Sequence, residues 1–141
     1  MTDGNGIPLG AVVTAGQAHD SLSFEPALTA VRIPRDALGR PRRLPGAVAG
    51  DKGYSYRRIR TYLRKRKVER VIPQRENQVG CTGGHRHFDK KKYRRRCVIE
   101  QCVGWLKECR RIVTRYDQYA VNYLAMLRLA FVERYLRILT R

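Results

Sequence analysis

The sequence predicts an α/β fold: a short mixed sheet flanked by helices, with two long helices at the C-terminal end. Three observations predict it. Strand-like runs at residues 7–14, 47–50 and 68–72 alternate with helical patterning, the order that builds a layered α/β domain. Across residues 89–111, Val98, Cys102, Trp105, Leu106, Cys109, Ile112 and Val113 cluster on one side of a helix turning roughly 100° per residue. A second helical pattern over residues 118–139 repeats Leu124, Leu127, Phe131, Tyr135 and Ile138 at helical spacing.

The first element is a turn. Asp3-Gly4-Asn5-Gly6 combines the residues that favour tight reversals, and residues 7–14 then read as a strand. A hairpin turn normally follows a strand, and almost nothing precedes this one. The expectation is that the chain enters in the middle of a fold and that its first strand lacks a partner. Residues 16–20 form a loop, and Asp20 or Ser21 is placed to cap a helix running to about Val31. Residues 34–45 are a Pro/Arg-rich exposed connection. Ala47-Val-Ala-Gly50 is a short strand of buried type that delivers Asp51 at its C-terminal end. Residues 55–66 fit a basic helix with Ile59, Tyr62 and Leu63 on its apolar side, and residues 68–72 fit a strand that stops at Pro73. Residues 74–87 are polar and Gly-rich, which is loop composition. No internal repeat or coiled-coil heptad run stands out.

Length and charge narrow the function. At 141 residues this is one domain or part of one. Thirty Lys and Arg against 12 Asp and Glu give a net charge of +18 and a pI near 10.6. Such an excess favours polyanions through counterion release, so nucleic acid is the leading partner. A ribosomal or other structural basic protein shares this electrostatics. No apolar run is long enough to span a bilayer, and Met-Thr-Asp-Gly-Asn-Gly is no signal peptide, so the expected location is the cytoplasm, at the nucleoid. Cys97, Cys102 and Cys109 fall on the apolar side of the first long helix, where reduced thiols act as small hydrophobes. With Cys81 they form neither a Cys-x-x-Cys pair nor a disulfide framework.

Two sites carry candidate chemistry. Tyr93, Arg96, Glu100 and Lys107 follow a Y-x2-R-x3-E-x6-K pattern that puts all four within about 60° of arc on a continuous helix, opposite the apolar side. One acid among cations suits a metal ligand beside a phosphate track; a solvated face with ion pairs one turn apart suits it as well. In Gly50-Asp51-Lys52-Gly53-Tyr54 a carboxylate leaves the end of a strand between glycines, a common mount for a metal and also a common turn. Cys81, His85, His87 and Cys97 lack standard zinc spacing. His19-Asp20 reads as helix capping rather than catalysis. Tyr54, Tyr56, Tyr62, Tyr116 and Tyr119 lie near Arg or Lys, where they either stack on bases or pack at the core rim. No Gly-rich phosphate loop, Ser/His/Asp arrangement or helix-turn-helix pattern stands out.

Taken in order, these motifs resemble the C-terminal half of a DDE transposase from bacterial insertion sequences, in the group known by its Y-R-E-K signature. Tyr93, Arg96, Glu100 and Lys107 match the signature at full spacing, and Asp51 matches the second acidic position. Asp3-Gly-Asn-Gly-Ile-Pro-Leu with Gly16-Gln-Ala-His-Asp20-Ser resembles the segment between the first and second acids, and Gly83-Gly84 with Phe88-Asp89 the loop before the signature helix. The resemblance implies an RNase H-like core that cuts DNA at transposon ends and joins the freed 3′-OH to target DNA. It implies three carboxylates holding two Mg²⁺ ions about 3.5–4 Å apart. Asp51 stands as the second ligand and Glu100 as the third. The resemblance further implies that Arg96 and Lys107 hold phosphates near the ions and that Tyr93 packs on or hydrogen-bonds to a backbone sugar or phosphate, with Arg94 and Arg95 extending the basic run. The first acid belongs on a strand upstream of the Asp3-Gly-Asn-Gly turn, and Asp3 does not match it. Residues 1–141 are therefore expected to form the C-terminal portion of a transposase catalytic domain, incomplete as an RNase H-like fold and as a two-metal site, and inactive alone. Expected partners are DNA, the upstream half of the enzyme and, in a homo-oligomer, further copies of the chain, with no membrane. The competing expectation is a non-catalytic basic DNA-binding protein or regulator derived from a transposase.

Overall fold

The structure, a computed structural model, describes residues 1–34, 38–75 and 88–140. The chain divides into two compact units, one formed by Met1–Ala18 with Cys97–Arg141 and the other by His19–Arg96.

In the His19–Arg96 unit, β1 (Ala47–Ala49) and β2 (Glu69–Val71) pair in parallel, with Ala47 opposite Glu69, Val48 opposite Arg70 and Ala49 opposite Val71. Parallel neighbours need a crossover connection, and here it is α2 (Arg57–Lys65). Five of the nine residues of α2 are Arg or Lys, yet Ile59 and Leu63, one turn apart, are wholly buried. They share the interior with Phe24 and Leu28 of α1 (Phe24–Ala30), and with Val31, Val68, Val71 and Ile72. α1 follows a 3-10 turn (Asp20–Ser23) whose N-cap is His19, with Nδ1 accepting from the Ser21 N–H at 3.2 Å. Capping by His19 agrees with the sequence expectation, although the cap falls one residue before Asp20.

The end of α2 is a Schellman motif. Val68 N–H donates to the Leu63 carbonyl at 3.0 Å and Lys67 N–H to the Arg64 carbonyl at 3.1 Å. The residue after the C-cap takes the left-handed conformation, and it is Lys67, at φ 56°, where glycine is usual. Buried Val68 and Leu63 supply the apolar contact that accompanies the motif.

The second unit joins an N-terminal turn to three helices, α4 (Cys97–Glu108), α5 (Arg110–Val113) and α6 (Ala120–Leu139). Asp3 Oδ1 accepts from the N–H groups of Asn5 and Ile7, both at 2.8 Å, and Gly6 completes the turn at φ 82°. Ile112, Leu127 and Ala130 form the core, with Ala11, Val13, Trp105, Leu106, Cys109 and Tyr123 packed against it. Tyr135 donates its hydroxyl to the Pro8 carbonyl.

Several expectations change. Residues 7–14 do not form a strand; Thr2 and Pro8 make an isolated antiparallel bridge, and Pro8 has no N–H to extend a ladder. The described sheet is a parallel pair rather than a longer mixed one. β1 is not buried: Ala47 and Ala49 are exposed and Val48 half-buried, since among the described residues only one of its edges is paired. The first long helix is three pieces, α3 (Lys90–Arg94), α4 and α5. Six of the seven residues from Lys90 to Arg96 are cations, so side chains three and four apart repel where a continuous helix would stack them. The ladder gives way there to a tighter turn, with Arg96 N–H on the Tyr93 carbonyl at 3.0 Å. Cys97 is exposed as the first residue of α4, whereas Cys102 is buried and Cys109 half-buried. Residues 76–87, with Cys81, Gly83, Gly84, His85 and His87, lie outside the described residues.

Two substitutions test this packing. Lys67→Gly should raise stability by about 0.5–1 kcal/mol in urea titration, the left-handed cost of a side chain less the added chain entropy of glycine. Leu63→Ala should lower it by about 2–5 kcal/mol, as expected for a cavity at a fully buried leucine.

Candidate active site

Asp51 leaves the C-terminal end of β1. The ladder continues one step past the strand, with Gly50 N–H on the Val71 carbonyl at 3.3 Å, so the residue before Asp51 is held by β2. A side chain at Gly50 would meet Ile72 Cγ1 at 3.4 Å, leaving little room for anything larger. Asp51 is extended (φ −77°, ψ 177°), and a 3-10 turn (Lys52–Tyr54) follows it. Tyr54 N–H to the Asp51 carbonyl, at 3.2 Å, closes that turn. The Asp51 side chain is exposed and makes no capping bond; instead it leans over Gly53. A Cβ on Gly53 would stand 2.8 Å from Oδ1, inside contact distance, so the glycine makes room for this carboxylate rotamer.

Arg75 clamps the turn. Its Nε donates to the Lys52 carbonyl at 3.1 Å and one terminal nitrogen to the Gly53 carbonyl at 3.2 Å. The guanidinium lies 4.5 Å from the centre of the Tyr56 ring. Tyr56 in turn bonds His19 Nε2 through its hydroxyl at 3.0 Å. Because His19 Nδ1 accepts from Ser21 N–H, the proton of a neutral ring is assigned to Nε2, which donates to Tyr56. Tyr54 packs against Phe24 with ring centres 5.7 Å apart. Burial, reinforced by Asp20 and Asp51, pushes its hydroxyl above the usual tyrosine range.

In the same unit, Asp89 caps α3 by accepting from Lys92 N–H at 3.0 Å. Lys92 reaches back to Glu69 on β2 at 2.7 Å; that hydrogen bond raises its pKa, more than burial lowers it. Tyr93 is half-buried against Phe88, 5.2 Å between ring centres, and the Arg96 guanidinium lies 5.7 Å from the Tyr93 ring. Arg94 and Arg95 are exposed.

Glu100 and Lys107 belong to the other unit, both on α4 and both exposed. With Ile99, Val103 and Gly104 they line one shallow depression. Seven residues apart, they are separated by about 10 Å along the axis. The opposite side of α4 is anchored by Cys102, Trp105 and Leu106, and burial raises the Cys102 thiol pKa.

The expected four-residue stripe is therefore divided. Tyr93 and Arg96 fall in the unit that carries Asp51, and Glu100 and Lys107 keep one helical face in the unit built on α4 and α6. Of the five tyrosines, Tyr56 and Tyr62 carry Arg75 and Arg66 over their rings, and Tyr54 packs inward. Tyr116 and Tyr119 are exposed. Cys97, the described member of the zinc reading, sits at the start of α4, and among the described residues no three potential ligands cluster. Arg75 was missed as a site residue, and Tyr56, read only as a base-stacking or rim tyrosine, bridges it to His19. Arg75 lies more than twenty residues from the carbonyls it holds, and a guanidinium bonding backbone leaves no local sequence signature.

The family model described as "Transposase DDE domain" matches residues 1–132. The chain belongs to the DDE transposase family. This transposase chain is 34% identical over 129 residues to a Burkholderia cepacia protein named "Putative transposase for insertion sequence element IS402". The alignment covers 92% of the transposase chain and 57% of that relative, so the chain spans a little over half the relative's length. No solved structure matches it. Among the described residues of this transposase, no helix is long and apolar enough to cross a membrane.

Removing the Arg75 clamp should loosen the turn that carries Asp51. In Arg75→Ala, amide hydrogen exchange at Tyr54 and Ser55 should accelerate several-fold while exchange in the middle of α2 stays unchanged. Arg75→Lys should restore only part of the protection, because an ammonium cannot fork onto two carbonyls as a guanidinium does.

Proposed function

We propose that the chain is a portion of a DDE transposase catalytic domain of RNase H-like type, and that it acts on DNA by Mg²⁺-assisted phosphoryl transfer in the cytoplasm, at the nucleoid. The family match across residues 1–132 carries this reading. The exposed carboxylates at Asp51 and Glu100 support it, because both present the hard oxygen donors that Mg²⁺ takes. In this reading Asp51 and Glu100 are two of the protein's metal ligands, and the first carboxylate comes from polypeptide beyond these residues. Bound Mg²⁺ supplies charge stabilisation at the attacking and leaving oxygens. The chain's own residues bind and orient. Arg75 holds the backbone turn that follows Asp51 and Gly53 leaves room for the Asp51 carboxylate, Lys107 offers an ammonium to phosphate in the depression that Glu100 lines, and Tyr93 presents a ring packed on Phe88 to the DNA backbone. Arg94, Arg95 and Arg96 draw in the polyanion.

The run of cations in α3 and after it favours a second reading, non-catalytic DNA binding. The carboxylates separate the two. Supplied with the upstream segment of a matching transposase and a DNA carrying its ends, the chain should cleave in Mg²⁺. Asp51→Ala and Glu100→Ala should each lower that cleavage at least about a hundredfold while duplex affinity changes little. Replacing Arg94, Arg95 and Arg96 together with alanine should flatten the slope of log affinity against log salt by about 2–3. Cleavage that survives both carboxylate substitutions overturns the catalytic reading and leaves the DNA-binding one.

A further inference from the structure

Two residues outside the Asp51 turn govern the clamp that holds it. Arg75 reaches the Lys52 and Gly53 carbonyls with a long side chain, whose ordering costs conformational entropy. Its resting place is the face of Tyr56, with the guanidinium 4.5 Å from the ring centre. Tyr56 is held in turn by His19, through a 3.0 Å hydrogen bond to Nε2 and an edge-on contact with ring centres 5.4 Å apart. The imidazole has a fixed seat. Ser21 meets Nδ1 with its backbone N–H at 3.2 Å and its hydroxyl at 2.9 Å, and the Ser21 carbonyl accepts from Arg58 of α2 at 2.7 Å. Arg58 also pairs with Glu25 of α1 at 3.3 Å, which ties the His19 turn to both helices. Contacts therefore run unbroken from an anchored imidazole to Lys52 and Gly53, the two residues that follow Asp51.

We propose that His19 and Tyr56 are positioning residues for Asp51, acting through Arg75. The proposal rests on the reading of Asp51 as a metal ligand. The choice of residue at 19 supports it. Capping alone is served best by Asn, Asp or Ser, and histidine is not among the preferred caps. What the imidazole adds is a second nitrogen on the far side of the ring, which donates to the Tyr56 hydroxyl while Nδ1 caps. Without that bond the Tyr56 ring swings, Arg75 loses its platform, and the carbonyls of Lys52 and Gly53 lose their shared donor. Asp51 then leaves the strand as before, but its carboxylate is aimed in a smaller fraction of molecules. Such a loss slows the chemical step and leaves the grip on DNA intact.

Two substitutions at one position separate the two nitrogens. In His19→Asn the amide oxygen replaces Nδ1 as the cap, and the side chain ends short of Tyr56. In His19→Gln the amide nitrogen replaces Nε2 toward Tyr56, and the cap is lost. The first readout is amide exchange in the chain as it stands, at Tyr54 and Ser55, whose N–H groups close the turn on the Asp51 and Lys52 carbonyls. Exchange there should accelerate severalfold in His19→Asn and in Tyr56→Phe, and stay near wild type in His19→Gln. Combining His19→Asn with Tyr56→Phe should be no faster than either alone, because both cut one link. With the upstream segment supplied, His19→Asn should lower kcat for Mg²⁺-dependent cleavage severalfold at unchanged KM for DNA, and His19→Gln should retain most of the wild-type rate. The reverse order at position 19, with Gln disruptive and Asn silent, assigns His19 to capping alone and overturns the proposal. Additive effects in the double variant overturn it too. So does exchange that quickens while kcat holds, in a protein that Asp51→Ala inactivates. A wild-type chain that does not cleave sinks the catalytic reading by itself, and the exchange order then decides whether His19 and Tyr56 set the turn.

Discussion

Parallel pairing of β1 and β2 is the constraint on which the His19–Arg96 unit depends. Two parallel strands cannot be joined by a tight turn, so the chain must cross over and return. α2 is that crossing, and a helix with so many cations stays on the sheet only because Ile59 and Leu63 lose all contact with water. The exit geometry of α2 then decides where β2 begins: the Schellman closure at Lys67 turns the chain directly into buried Val68. With β2 in register, the last rung to Gly50 sets the direction in which Asp51 leaves the sheet, and Arg75, four residues beyond β2, returns to hold the turn that follows. The position of one exposed carboxylate thus rests on two buried aliphatic side chains.

Charge shapes the remainder. A chain with +18 net charge has to distribute repulsion, and it does so by breaking a helix instead of tolerating six stacked cations. Ion pairs such as Lys92 with Glu69 and Arg58 with Glu25 tie surface elements together within the same unit. They are exposed and screened, so their role is orientation more than stability. Cation–ring contacts do similar work: Arg66 over Tyr62, Arg75 over Tyr56 and Arg134 over Trp105 dock the guanidinium stems against apolar surface.

Legibility in the sequence followed the range of the interactions. The apolar face of α2, the strand delivering Asp51, the His19 cap and the buried face of α6 all express themselves within one or two turns of chain, and they were readable. The apolar side of α4 was readable for the same reason, through Cys102, Trp105 and Leu106. What failed was continuity. A helical wheel counts angles and ignores the like-charge cost that parts α3 from α4 at Arg95, so it united four residues that two separate helices and a turn supply. The Arg75 clamp was invisible because its partners are backbone carbonyls, which every residue owns. Residues 7–14 alternate well enough to suggest a strand, and the proline at position 8 outweighed the pattern.

The contact between Asp51 and Gly53 has a consequence for substitution. Space, not backbone conformation, demands glycine at position 53, so a methyl group there can be accommodated by swinging the carboxylate aside. A side chain at 53 therefore leaves the surrounding backbone in place and moves the Asp51 carboxylate out of its present rotamer. Under the proposed catalytic reading, a side chain at 53 disarms the turn without unfolding it, unlike a substitution in the core.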